Sequence, residues 1–383
     1  MKKRSLLSLL VAVALILSAA VPVLAEDVIK IGGIGVLSGD YSKYGLAVKE
    51  GVDLYVKQIN AAGGVLGKQV EVIWEDTQAD PAFAISAYNK LVEQDGVVGI
   101  IGGVLSGESK ALAEVSAEDG IPQITPSSTA YDVTTDRPNV FRTCFLDPFQ
   151  GNAIANYMAQ QGAKKVAVLY DNATEYSNGL YEAFKAKAEA EGVEIVATEA
   201  AAYGEKDYKT QLTTIKNAEP EAVFLPYYGA DAAMILAQAK DIGLDVRFYG
   251  ADGISDIVDL VTDKSLLTSL VYTDHFTTDA DSEKAVAFVK DFEAEYGKLP
   301  TISFSATGYD AILVLLSAIE AAGSTDKDAV VAAIKATNVT AVSGNITFDD
   351  HNDPIKSAFL LTFDAEGNKK YLDQVNPYFI LIP

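Results

Sequence analysis

Residues Gly120 to Ala130 read GIPQITPSSTA, an apolar run that closes on the hydroxyls of Thr125, Ser127, Ser128 and Thr129. A second run, VVGIIGGVLSGES, places Ser106 just past another strand-like stretch. Each run leads into a segment that reads as the start of a helix. Ser106 and Thr129 therefore fall where unpaired N–H groups and the positive end of a helix dipole favour an anion, and a carboxylate would be held well there. Taken singly, each fits a plain helix N-cap equally well. Farther along, FLPYYGAD ends a strand with Tyr227 and Tyr228, and YGADGIS ends the next with Asp252. Asp252 is a carboxylate at the same end of a sheet, able to take an ammonium group. An anion site on one unit and a cation partner on another suit a zwitterion, such as a free α-amino acid.

Other chemistries fit less well. GGIGVLSG, Gly32 to Gly39, has Ser38 at the third fingerprint position of a dinucleotide loop. The acids Glu75 and Asp76 lie about twice as far on as the usual ~20 residues, so the stretch reads as a glycine-rich corner. Ser106 is not in a G-x-S-x-G run, and His275 and His351 are the only bases of their kind, which leaves no evident triad. DDHND, Asp349 to Asp353, lacks the glycine and the terminal glutamate of a calcium loop and reads as a solvated turn before Pro354. Cys144 is alone, so neither an internal disulfide nor a thiolate cluster can form. No cofactor, metal or catalytic group is expected. A formal charge of −23 argues against binding phosphate backbones, and hence against nucleic acid as a partner.

The elements that must position these groups alternate along the chain. Short apolar runs separated by segments of helical period extend from Asp27 to about Phe276, the pattern of parallel sheets with crossover helices. VIKIGGIGVL, QVEVIWE, VVGIIGG, IPQIT and NVFRT form one set of strands, and KKVAVLY, VEIVATE, EAVFLPYY, VRFYG and SLVYTDHF repeat the order. The tail departs from it, with helices over about 306–322 and 328–336 before a hairpin-like pair, NITFD and SAFLLTFD, joined through DHNDPIK. Such a tail is most easily placed if the chain returns to the first unit and then to the second, which predicts a hinge of several crossings. Before all this, MKKR and the apolar run to Ala25 read as a secretory signal peptide cleaved after Ala25, with no cysteine there for a lipid anchor. Nothing later reads as long and apolar enough to span a bilayer.

At these residues the sequence resembles the periplasmic leucine/isoleucine/valine-binding proteins, the type I solute-binding components of ABC transporters. The resemblance runs through GVLSGDYSKYG, INAAGGVLGKQVEVIWEDTQADP, IIGGVLSGES, EDGIPQITPSSTA, FRTCFLDPFQG, GEKDYKTQL, FLPYYGADAAMILAQAKDIGL and GYDAI. It implies an α/β chain of the type I periplasmic binding protein fold, two doubly wound parallel-sheet domains joined by a multi-crossover hinge. The implied lobes are 26–147 with 277–355 and 148–276 with 356–383, after a leader of 1–25. Ser106 and the N–H of Thr129 would hold a substrate carboxylate, while the Ser127 carbonyl, the Thr129 hydroxyl and Asp252 would receive the ammonium. Tyr228 would close over that group, and Tyr44, Leu105, Tyr176 and Tyr309 would surround the side chain. The family often has glutamate where Asp252 stands, and some members have a half-cystine where Leu105 stands; both departures bear on the choice among Leu, Ile and Val. A periplasmic monomer that hands its ligand to a membrane permease is implied, and an amide, urea or small carboxylate is the alternative cargo.

Overall fold

The structure is a computed structural model and describes residues 28–202 and 204–377, so the leader and its cleavage site lie outside the described residues. Strands β1 (Ile29–Gly35), β2 (Val70–Asp76), β3 (Ile100–Gly102), β4 (Gln123–Thr125) and β5 (Val140–Arg142) form one parallel sheet in the order β2-β1-β3-β4-β5. In β1, IKIGGIG, every residue but Lys30 is buried. That continuous burial is what a strand covered by helices on both faces requires. Strands β6 (Lys165–Asp171), β7 (Glu194–Ala201), β8 (Ala222–Phe224), β9 (Arg247–Gly250) and β10 (Leu270–Asp274) repeat the arrangement as β7-β6-β8-β9-β10. In each sheet the strand order reverses beside the first strand, which opens a crevice at the carboxyl ends where ligands of such sheets bind.

Helix α1 (Ser42–Ala61) follows β1 and buries Tyr44, Ala47, Val48, Gly51, Val52 and Leu54, the three- and four-residue spacing of one helical face. Next, α2 (Pro81–Lys90) starts with Pro81 in its first turn and the Asp80 carboxylate accepting the Ala82 N–H at 2.7 Å. Then come α3 (Ser106–Asp119), α4 (Asp147–Gln160), α5 (Glu175–Ala190), α6 (Lys209–Asn217) and α7 (Gly229–Asp241). The chain returns through α8 (Glu283–Tyr296), α9 (Phe304–Ala322) and α10 (Lys327–Lys335) to the first unit. There α9 packs along α1 so closely that a Cβ on Gly51 would lie 1.9 Å from the Ser305 carbonyl oxygen. Contrary to the sequence expectation, α9 is long and apolar enough to cross a membrane by composition, but 78% of it is buried inside the protein. Its length and apolarity serve the core.

The tail also corrects the sequence reading. β11 (Asn338–Ala341) and β12 (Gly344–Thr347) form a hairpin around Val342 and Ser343, so NITFD pairs backwards in the chain. β13 (Ala358–Phe363) instead joins β10 antiparallel in the second sheet, with β14 (Lys369–Val375) outside it. The short turn after β11 closes at once, whereas DHNDPIK is spent on crossing between the sheets. Nor is DDHND simply solvated: Asn352 and Asp353 are buried, and Asp353 pairs with the buried Arg142 at 2.6 Å. The chain crosses between the sheets after β5, after β10 and after β12. Lys356 ties two of these crossings, its ammonium donating to the Thr143 carbonyl at 2.8 Å. Burial lowers the pKa of Lys356, and the charge of Asp310 works against that shift.

Candidate functional site

The hydroxyl cluster after β4 divides into structural and available groups. Thr125 donates to the Gly103 carbonyl at 2.7 Å, and Ser127 to the Val104 carbonyl at 2.8 Å. Ser128 bonds Val104 as well and is paired with Ser109. These bonds staple the loop to the segment between β3 and α3. The Thr129 hydroxyl is fully buried and, apart from the Asp147 carboxyl beside it, has no hydrogen-bond partner among the described residues. Thr129 does not precede an α-helix as the sequence suggested, since only a 3₁₀ turn, Tyr131–Val133, follows it.

Ser106 is the first residue of α3, and the N-cap position belongs to Leu105. The Ser106 hydroxyl accepts the Ala130 N–H at 3.4 Å, which ties the two anion-facing segments together. Glu108 accepts the N–H groups of Val104 and Leu105 at 2.8 and 3.0 Å. Those bonds serve residues ahead of α3, and the first N–H groups of α3 itself, from Ser106 onward, have no intrahelical acceptors. The simple N-cap reading therefore fits neither Ser106 nor Thr129.

On the second sheet, Asp252 follows β9 and is 1% exposed. Its carboxylate is already engaged: Gln150 and Tyr176 donate to Oδ1 at 2.8 and 3.0 Å, and His275 Nε2 lies 2.9 Å from Oδ2. In the sequence His275 stood out only as one of the two histidines, without a triad to join. Tyr176, in the first turn of α5, also accepts the Gly253 N–H at 2.8 Å and stacks on Tyr228 with ring centres 4.7 Å apart. Tyr228 is the N-cap residue of α7. Burial, with the charge of Asp252 next, raises the hydroxyl pKa of both tyrosines well above the ordinary phenol range, so both act as neutral hydrogen-bonding groups. Between the sheets lies a cavity of about 590 Å³ whose lining includes Tyr41, Leu105, Glu108, Tyr176 and Tyr228.

The remaining expected wall residues lie elsewhere. Tyr309 donates to Gln58 at 2.7 Å and packs on Tyr55 and Phe288, because its position on α9 faces α1 and α8. Phe304, at the start of the same helix, is the aromatic of α9 that meets Tyr44 and His275, with ring centres 5.5 and 5.9 Å away. Tyr44 is fully buried and bridges the sheets: its hydroxyl accepts the Gly229 N–H at 2.9 Å and lies 2.6 Å from the Gly253 carbonyl and 2.9 Å from Asp256. Sequence reasoning also missed Asp147 and Gln150, three positions apart in the first turn of α4. Their signal was the FLDPFQG segment, a helix start placed directly after a crossing.

Residues 28–368 match the Periplasmic binding protein family. The chain belongs to that family. This binding protein is 32% identical over 334 residues to the leucine-, isoleucine-, valine-, threonine- and alanine-binding protein of Pseudomonas aeruginosa, covering 86% of this chain and 88% of that one. Among solved structures it resembles a branched-chain amino acid transporter substrate-binding protein of Streptococcus pneumoniae in complex with isoleucine, with a TM-score of 0.85 and 31% identity over 91% of this chain and 99% of that one. It also resembles an ABC-transporter solute-binding protein of R. palustris in complex with benzoate, with a TM-score of 0.84 and 25% identity over 91% and 97% of the two chains. The binding protein is thus an exported, periplasmic solute carrier of an ABC transporter and not an enzyme. Its partners are a small-molecule ligand and a membrane permease.

Proposed function

We propose that the binding protein captures a free α-amino acid with an apolar, most simply branched-chain, side chain. One lobe comprises 26–147 with 277–355 and the other 148–276 with 356–383, and closure about the crossings completes the site. The observation that carries this reading is the helix start at Ser106, whose hydroxyl accepts the Ala130 N–H, tied through that loop to a buried acid, since the adjacent Thr129 carbonyl accepts the Asp147 N–H. Ser106 and the Thr129 N–H hold the substrate carboxylate. The Ser127 carbonyl, the Thr129 hydroxyl and the buried acids, Asp252 among them, form the ammonium end. Tyr228, Tyr176 and Leu105 close over the rest of the ligand. Neither half binds well alone, since a charge buried without a partner costs several kcal/mol. The mature chain, cleaved after Ala25, acts as a monomer and presents the closed form to the permease.

A second reading is favoured by one observation. Every oxygen of Asp252 already has a protein partner, so Asp252 does not require a ligand cation. A small carboxylate such as benzoate, the ligand of the R. palustris protein, would then use the Ser106 end alone. Calorimetric titration of protein stripped of carried-over ligand by unfolding and refolding separates the two. Micromolar binding of leucine, isoleucine, valine or another amino acid, about −8 kcal/mol, supports the first reading. Binding of benzoate, acetamide or urea, with no amino acid bound, overturns it.

A further inference from the structure

We infer that Asp256 is a positioning residue for solute capture, holding Tyr44 across the crevice as the neutral carboxylic acid, so that closure takes up a proton. The inference rests on capture by closure as proposed above, and not on which solute is captured. A count of protons at one oxygen carries it. The Tyr44 hydroxyl, on α1 of the first unit, meets three polar groups of the second: the Gly229 N–H at 2.9 Å, the Gly253 carbonyl at 2.6 Å and Asp256 Oδ1 at 2.9 Å. The Gly229 N–H brings its own proton, but the two oxygens have only the single proton of Tyr44 between them. With Asp256 ionised, one of the two oxygen–oxygen contacts holds no proton. With Asp256 protonated, its O–H donates to the Tyr44 oxygen while Tyr44 donates to Gly253, and all three contacts become hydrogen bonds.

The surroundings favour the neutral acid. Asp256 is 2% exposed, and Tyr44 over it is fully buried. The start of α7 lies so close that a Cβ on Gly229 would fall 1.9 Å from Asp256 Oδ1. A helix start favours an anion, but here the Gly229 N–H is directed at the Tyr44 oxygen instead. Asp231, in the first turn of the same helix, is held by Tyr208 and Tyr41 at 2.9 and 3.2 Å. Lys43 on α1 draws the Asp256 pKa down and Asp259, three residues on, pushes it up; these two pair with each other at 3.2 Å. Lys264 beyond them donates to the Val258 and Val261 carbonyls. Burial outweighs the Tyr44 hydrogen bond and the Lys43 charge, and pushes the carboxyl up to about 6. When the lobes part, Tyr44 withdraws and the carboxyl meets water, which returns it toward the ordinary value of about 4. The closed form therefore holds the proton more tightly, and falling pH favours closure.

The test is calorimetry on the full mature protein with leucine, or with benzoate if wild type binds no amino acid, at about pH 5 and about pH 7.5 in buffers of different ionisation enthalpy. Wild type is expected to take up about 0.8 proton on binding near pH 5 and almost none near pH 7.5, and to bind about tenfold more tightly at the lower pH. Asp256→Asn keeps the shape and carries an N–H donor for the Tyr44 oxygen. It should bind as tightly near pH 7.5 as wild type does near pH 5, and its proton uptake near pH 5 should be lower than wild type by about 0.8. Asp256→Ala lacks both the proton and the donor. Its affinity should be equally insensitive to pH but about tenfold weaker than that of Asp256→Asn, a rescue that a merely space-filling role would not give. The inference is overturned if wild type and Asp256→Asn take up the same number of protons near pH 5, or if Asp256→Asn keeps the wild-type dependence of affinity on pH. Binding of benzoate but of no amino acid would overturn the ligand reading instead, and the proton count with benzoate would still decide this inference.

Discussion

At the scale of single residues, the acid after β9 is held by groups from three other elements. Asp252 is surrounded by donors, and its removal strands them: Asp252→Ala leaves Gln150, Tyr176 and His275 buried without their acceptor. Unmet buried donors cost roughly 1–3 kcal/mol each, so the variant is expected to melt well below wild type even without ligand. Retention of the wild-type melting curve would show that the four groups do not act as a unit. Away from the crevice, Arg142 and Asp353 form a buried pair at the crossing, and the guanidinium also donates to the Ser128 and Ala130 carbonyls at 2.8 and 2.9 Å. Asp353→Ala should cost about 3–5 kcal/mol, the magnitude for breaking a buried pair on one side, and chemical denaturation would measure it.

Among elements, the contact between α1 and α7 decides how firmly the lobes hold each other. Tyr44 on α1 reaches the Gly229 N–H, the Gly253 carbonyl and Asp256, and one hydroxyl proton cannot satisfy both oxygens at once. Tyr41 adds a bond to Asp231 at 3.2 Å and Lys43 one to Asp259 at 3.2 Å. Tyr44→Phe keeps the ring and removes the bridge, and ligand affinity should fall about tenfold through loss of the closed population. Unchanged affinity would mean that closure does not depend on this contact. Burial pushes the Asp256 carboxyl up to about 6, with the Tyr44 hydrogen bond opposing. Because the folded pKa lies above the unfolded one, the stability this group contributes is fully present below about pH 4 and is lost as pH rises through about 6. Asp256→Asn should therefore raise the melting temperature at pH 7.5 relative to wild type and leave it nearly unchanged near pH 4.

For the whole molecule, the crossings make the two sheets one machine. Lys356 on the last crossing bonds the Thr143 carbonyl on the first, so the crossings move together and closure is expected as a rigid rotation rather than a local loop movement. Small-angle scattering should show the radius of gyration falling when a bound amino acid is added to ligand-free protein. No change on saturation would argue that the lobes stay closed without ligand, with Tyr44 and Asp256 sufficient to hold them.

The sequence by itself determined the two repeated α/β units and the positions of Ser106, Thr129, Tyr228 and Asp252 after the ends of strands, and it suggested without fixing the return of the tail to each unit. Strand and helix periods are local, and residues at the carboxyl end of a parallel strand share one edge whatever the helices do. Tertiary structure alone decided which of these groups are already used. The bonds that occupy Asp252 come from α4, α5 and the end of β10, spanning 23 to 102 residues of chain. Tyr44 and Tyr309 show the same limit, since a helix period fixes a face but not the neighbour that face meets. The hairpin misplaced in the tail was a matter of pairing partner, which alternation within a strand cannot specify.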